Sequence, residues 1–179
     1  MNGEVIHSDD TDSFSAFMRS AYKYFGVEHS KFFKMDNLSK LAFIASEILL
    51  KDELEKDVAL VLSNRAASLD TDRKHQASIS DPENHYPSPA VFVYTLPNIC
   101  MGEISIRHQL HSENSFFVFE NFTPNVLFDY SRILLSENKA KKVLCGWVDF
   151  DNRKYDAFLY VVAKNGTFVH SIGEINRLY

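Results

Sequence analysis

Thiols, imidazoles and paired carboxylates are the groups in this chain that could do chemistry. A thiolate attacks carbonyl carbon, an imidazole carries protons or holds a metal, and two carboxylates can divide acid and base roles. The cysteines are Cys100 and Cys145, each within an apolar stretch. Cys145 falls in the middle of Lys142-Val-Leu-Cys-Gly-Trp-Val-Asp-Phe150, with no helix N-terminus beside it to favour thiolate. Both are therefore expected to be buried structural thiols. Two thiols make neither a disulfide framework nor a four-ligand zinc pattern, which fits a reducing compartment. His108 and His111 are three residues apart near an expected helix end and could share a face. They lack a third ligand at metal spacing, so they are expected to be surface histidines. Asp70, Asp72, Arg73 and Lys74 are expected to form a solvated helix start. Lys139, Lys141 and Lys142 form the one clear basic cluster, expected to be a solvated helix terminus where an acidic partner could also dock. No metal or other cofactor is implied.

The elements that would position these groups follow from periodicity. Ser13 precedes Phe14, Phe17, Met18, Ala21, Tyr22 and Phe25, apolar at helical spacing, with Gly26 as a stop. From Asp36 the residues Leu38, Leu41, Ala42, Ala45, Ile48 and Leu49 predict a second amphipathic helix, with Asp36 or Asn37 as its cap. Asp57-Val-Ala-Leu-Val-Leu-Ser63 predicts a strand covered on both faces. Asn64 to Ser80 is expected to be loop with a short helix. Tyr86-Pro-Ser-Pro89 disfavours helix, and a helix starting near Pro97 and Asn98 should carry Ile99, Met101, Ile104, Ile106 and Leu110 to the core. Ser115-Phe-Phe-Val-Phe-Glu120 is the most strand-like hexamer, apolar on both faces, and must be buried on both sides or paired across an interface. Thr123 as N-cap and Pro124 at the first helical position predict a helix whose core face holds Val126, Leu127, Tyr130, Ile133 and Leu134. Lys142 to Phe150 and Tyr155 to Ala163 predict a hairpin about Asp151–Lys154. Gly3 to His7 at the start and Thr167 to Ile172 at the end are expected to be short strands. The order β, α, β, α, β, α, β, β predicts an α/β fold: a mostly parallel sheet with helices on both faces and a closing antiparallel hairpin.

With 179 residues, 45% hydrophobic and 24% charged, the expectation is one domain spanning 1–179. A net charge of −5 lacks the basic field of nucleic-acid binders. The polar, acidic Met1 to Thr11 does not read as a secretory leader, and no apolar run approaches the ~20 residues that span a bilayer. A cytoplasmic protein without membrane or nucleic-acid partners is expected.

Several stretches, in order, resemble the N-terminal half of β-ketoacyl synthases (3-oxoacyl-acyl carrier protein synthases). Asp36-Asn-Leu-Ser-Lys-Leu-Ala-Phe-Ile-Ala-Ser-Glu47 is similar to an early helix of that family, and Val61-Leu-Ser-Asn-Arg-Ala-Ala-Ser68 to the strand and turn after it. Pro89 to Ile106 resembles the approach to a long helix, Val143-Leu-Cys-Gly-Trp-Val-Asp149 the later strand, and Ala157-Phe-Leu-Tyr-Val-Val162 the next. The likeness runs from about Lys34 to Lys164 and implies a thiolase-like half-fold of βαβαβαββ topology. In the family, a strand delivers a nucleophilic cysteine to a helix N-terminus. Counting back from Gly146 through a helix of family length puts Phe122 there, which implies no catalytic residue at that position. Two catalytic histidines would come from a C-terminal half beyond Tyr179.

The resemblance thus implies a non-catalytic ketosynthase-like protein, analogous to a chain-length factor, in fatty-acid-like or polyketide assembly, with an aryl-polyene or flexirubin-type pathway suggested. The family's strand before the nucleophile pairs antiparallel with its two-fold mate, so Ser115, Phe116, Phe117, Val118, Phe119 and Glu120 are the implied dimer interface. The implied partner is a second copy or a full-length ketosynthase, with an acyl carrier protein as a further candidate. An enzyme using other residues on the same scaffold, and a dimeric interaction module unrelated to acyl chemistry, are the alternatives.

Overall fold

The computed structural model of the chain describes residues 1–179 except Gly3, Asp12 and Asn84. Helix α1 (Phe14–Tyr24) starts where the Ser13 side chain accepts from the Ala16 N–H, and α2 (Asn37–Leu50) where Asp36 accepts from Ser39 N–H at 2.9 Å. Both caps occupy donors that a helix start leaves unpaired. Strand β1 (Val58–Asn64) follows, then α3 (Leu69–Ile79), α4 (Pro89–Val93), α5 (Ile99–His108), β2 (Asn114–Val118), α6 (Pro124–Ser136), β3 (Lys142–Asp151), β4 (Lys154–Ala163) and α7 (Ile172–Leu178).

The four strands form one mixed sheet in the order β2-β1-β3-β4. Strand β1 pairs parallel with β2 (Leu62 opposite Phe116) and with β3 (Leu60 opposite Leu144), and β4 closes the sheet antiparallel to β3. Every residue of β1 is buried. Its alternation explains the unbroken apolar run: Val58, Leu60 and Leu62 face a large core under α1, α2 and α5, whereas Ala59 and Val61 face a smaller core under α6. Gly146 on β3 is a close-approach position, because a Cβ there would collide with the Phe158 carbonyl oxygen of β4.

Most expected elements are present, with these corrections. Glu4 to His7 forms no strand, and Gly3 lies outside the described residues. Among the described residues the sheet has four strands, one fewer than the five of the expected order. Thr167 to His170 is irregular rather than an edge strand, and Ile172 opens α7, with Ser171 accepting from the Glu174 N–H at 3.2 Å. The Asn64–Ser80 loop holds a full three-turn helix, α3. On α5 the buried residues include Cys100, Met101 and Ile104, but Ile106 points to solvent at 70% exposure. Strand β2 stops at Val118 and is half-exposed, so of the two expected alternatives burial on both sides is excluded and pairing across an interface stays open. Thr123 stands at the N-cap of α6 without capping it; its hydroxyl donates instead to the Asn121 carbonyl at 2.9 Å.

Candidate functional site

The site implied for chemistry lies where the chain leaves β2 and enters α6, at the C-terminal ends of the parallel strands. Phe119 N–H donates to the Asn64 carbonyl at 2.9 Å, the last rung that ties this segment to β1. Glu120 to Thr123 then turn the chain, and Pro124 starts α6 at a position where its missing N–H leaves no bond unmade. Phe122 is half-buried. Its ring centroid lies 6.1 Å from that of Trp147 on β3, 5.7 Å from Phe158 on β4 and 4.4 Å from Tyr179. Tyr179 follows α7 and is fixed by its hydroxyl, which donates to Asp156 at 2.9 Å. The space at the start of α6 is thus occupied by four aromatic rings, and Phe122 brings no ionisable atom to it.

Beside this cluster, Asp149 near the end of β3 shapes the turn after β1. One carboxylate oxygen accepts from the N–H groups of Arg65 and Ala66 at 3.1 and 2.9 Å. Asn64 clamps the same turn by exchanging side-chain bonds with the Ala67 N–H and carbonyl, both at 2.9 Å, and Ala67 takes a left-handed φ of 48°. The Ser68 hydroxyl donates to the Thr95 carbonyl at 2.7 Å, tying the turn to the end of α4. Asp149 here is a structural acceptor, and Asp151 beside it pairs with Arg73.

The other groups with chemical potential are placed as follows. Cys145 is buried on β3 opposite Tyr160, and burial pushes its thiol up to about 12, outweighing contacts with Ser131 and Tyr160 that lower it. Such a thiol stays protonated at neutral pH and is a poor nucleophile. Cys100 is buried on α5, with its thiol pKa raised by burial. The expected surface pair His108 and His111 is half wrong. His111 is exposed, but His108 is buried, and its Nε2 lies 3.3 Å from Glu47 on α2 without forming a well-aligned hydrogen bond. Arg107 also grips Glu47, donating through Nε at 3.1 Å and Nη2 at 2.6 Å. Burial would raise the Glu47 carboxyl, but the hydrogen bonds from Arg107 and the close approach of His108 overcome it and hold the group at about 2. A second buried carboxylate on α5, Glu103, accepts from Tyr94 at 2.8 Å and pairs with Lys31 at 2.7 Å. These charges lock α5 to α2 and to the loop before it.

Among the described residues no group of three or more His, Cys, Asp or Glu is arranged to hold a metal ion. Asp70 pairs with Lys74 in the first turn of α3 and also accepts from Asn37 at 3.1 Å. The basic cluster is partly neutralised: Lys141 pairs with Glu55 at 3.1 Å and Lys142 with Glu53 at 2.6 Å, leaving exposed Lys139. No described helix is long and apolar enough to cross a membrane.

Of the hexamer singled out as an interface, Ser115 to Val118 belong to β2, and Phe119 and Glu120 follow it. Strand β2 stands at the end of the sheet, so among the described residues its outer edge has no partner strand. Because Phe119 N–H points to β1, strand alternation turns the Val118 N–H outward, and its side chain is 53% exposed. Phe117 packs edge-on against Tyr130 of α6 at 5.6 Å, and Ser115 donates to the Tyr130 hydroxyl at 3.0 Å. The strand thereby carries α6 with it. Sequence reasoning missed α7 with Tyr179, although Ser171-x-x-Glu174 is a capping-box spacing that announces a helix start. The ion cluster about Glu47 has no such signal, since its members lie 60 residues apart.

No family model matches the chain, and no curated protein is significantly similar to it in sequence. Solved structures are similar in fold. The structure titled the ishigamide ketosynthase/chain length factor matches with a TM-score of 0.59 and 25% identity, over 67% of this chain and 36% of that one. A ketosynthase (ApeO) in complex with its chain length factor (ApeC) from Xenorhabdus doucetiae matches at 0.54 and 17%, over 70% of this chain and 50% of that one. A type II polyketide synthase acyl-carrier protein in complex with its ketosynthase (AntDE:AntF) matches at 0.55 and 18%, over 74% and 39%. The chain therefore has the thiolase-like half-fold of ketosynthase and chain length factor proteins, and it spans between about a third and a half of the matched chains.

Proposed function

We propose that this chain is a non-catalytic, ketosynthase-like subunit that pairs with a ketosynthase, in the manner of a chain length factor, during polyketide or fatty-acid-like assembly. The observation that carries the reading is the ring of Phe122 packed among Trp147, Phe158 and Tyr179 at the start of α6, the position to which the resemblance assigns the nucleophile. A carbon side chain wedged there cannot form an acyl-enzyme, and both cysteines are buried thiols. Three similar structures are titled as ketosynthase assemblies, which supports a partner role. The open edge of β2 supplies a surface for it: a two-fold mate or a ketosynthase strand laid against Ser115–Glu120 would pair the outward backbone groups and cover Val118. The finer proposal is an aryl-polyene or flexirubin-type pathway, with an acyl carrier protein as a passing partner; neighbouring genes for a carrier protein, ketoreductase and dehydratase would be its signature.

The test is intact-mass analysis after incubation with acyl thioesters, joined to light scattering of the chain alone and with a ketosynthase from the same gene neighbourhood. The expected result is no acyl adduct and a dimer or a stoichiometric complex. A stoichiometric adduct overturns the non-catalytic reading, and a monomer that ignores the ketosynthase overturns the partner reading. Val118→Pro removes an outward donor and no bond to β1, so it should yield monomer while leaving the sheet intact.

A further inference from the structure

We propose that the N-terminal segment Glu4–His7 is a strap that adds to the outer edge of β4 as a fifth strand and closes the groove running along it. Strand β4 lies at the opposite end of the sheet from β2, and its ladder partner among the described residues is β3 alone. An edge strand turns alternate N–H and C=O groups outward, an open template for another segment. A groove of about 670 Å³ follows this edge from Ala157 to Ala163. Ala45, Ile48 and Leu49 of α2 overhang it on one face of the sheet, and Ile175 and Leu178 of α7 on the other. The irregular stretch Gly166–Ser171 borders the groove without pairing to β4, and an edge so flanked, with no second ladder partner among the described residues, can take a further strand whose successive side chains enter the two clefts in turn.

The segment that fits is already at the rim. Met1, Asn2 and Ile6 line the groove, yet Val5 is 85% exposed and Ile6 36%, so two adjacent β-branched residues stand in water beside an unfilled apolar slot. Pairing would send Val5 to one cleft and Ile6 to the other. His7 fixes the end of the segment: its Nε2 lies 3.1 Å from the Ser20 hydroxyl, and its ring stacks on Tyr24 at 4.6 Å. That tether holds the strap at an effective concentration that a free strand cannot match, which favours it over a second copy or a foreign peptide. A strap here would guard the β4 edge while the β2 edge stays available.

Hydrogen exchange read by mass spectrometry tests this on the full chain at two protein concentrations, on a chain lacking residues 1–6, and on Val5→Pro. Amides of Ala157–Ala163 should exchange at least about tenfold more slowly in the full chain than in either variant, independently of concentration, while β1 exchanges equally in all. Equal exchange of β4 in the full chain and Val5→Pro overturns the proposal. So does protection that grows with protein concentration, because the strand filling the edge then comes from another molecule. If the truncated chain fails to fold, shown by fast exchange in β1, the single substitution decides.

Discussion

The two faces of the sheet are built to different depths. On one, α1, α2 and α5 bury Phe32, Phe43, Leu60, Ile104 and Leu144, and the Glu47–Arg107–His108 cluster binds two of those helices together. On the other, α6 covers Ala59, Val61 and Cys145 with a smaller set led by Leu127 and Leu134, fringed by the half-buried rings of Phe117, Phe122, Tyr130 and Tyr160. The deep face holds the fold. The thin face carries the Phe122 ring cluster on which the non-catalytic reading depends, and its half-covered rings are surface that an assembly could still bury. Substitutions should divide accordingly, with folding lost on one side and assembly on the other.

The largest expected effect tests the deep face. Phe43 is fully buried, so Phe43→Ala should lower the unfolding free energy by about 4 kcal/mol, read from denaturant titration. A loss no greater than that of a thin-face residue would erase the distinction. Next comes Glu47→Ala, which leaves Arg107 and His108 facing each other without their carboxylate and should cost about 3 kcal/mol. The pH dependence gives the same cluster a second readout. Folding holds the Glu47 carboxyl at about 2, below its ordinary 4.5, so its contribution is complete above about 4.5 and is lost as pH falls toward 2. Stability should therefore fall less steeply across that window in Glu47→Ala than in the parent, and parallel curves would remove Glu47 from the account. Smallest is Phe122→Ala on the thin face, about 1–2 kcal/mol because the ring is only half-buried. Phe122→Cys should add a thiol open to alkylation without condensing activity; measurable turnover would mean that the rest of a catalytic site is present.

The deep face was the more legible in sequence. Helical spacing marked α1 and α2, Asp36 marked a helix start, and the run Val58 to Ser63 marked a strand with both faces covered. These signals lie within one element, where periodicity and capping chemistry act. The thin face depends on contacts between distant segments, and that is where the reading slipped. Tyr179 reaches Phe122 only because α7 folds back over α6, and the elements expected from sequence end with the edge strand at Ile172. His108 was read as a surface residue because nothing near it in sequence reveals Glu47. Placing Phe122 at the start of α6 was possible from sequence, since Pro124 punctuates the chain there. That three more rings fill the space around it was not.

The register of β1 has a consequence for the order in which the chain becomes ordered. Its partners are remote: Val58 sits opposite Lys142, and Leu60 opposite Asn114. The β3–β4 ladder joins residues no further apart than Lys142 and Ala163. Loop closure makes the near pairing fast and the far ones slow. During synthesis β1 leaves the ribosome well before either neighbour exists, as seven residues with no charge among them. We predict that pulse-labelled exchange during refolding protects β3 and β4 before β1, and simultaneous protection of all three would refute it. Until its neighbours arrive, Val58–Asn64 is the segment of this chain that most needs a chaperone's shelter.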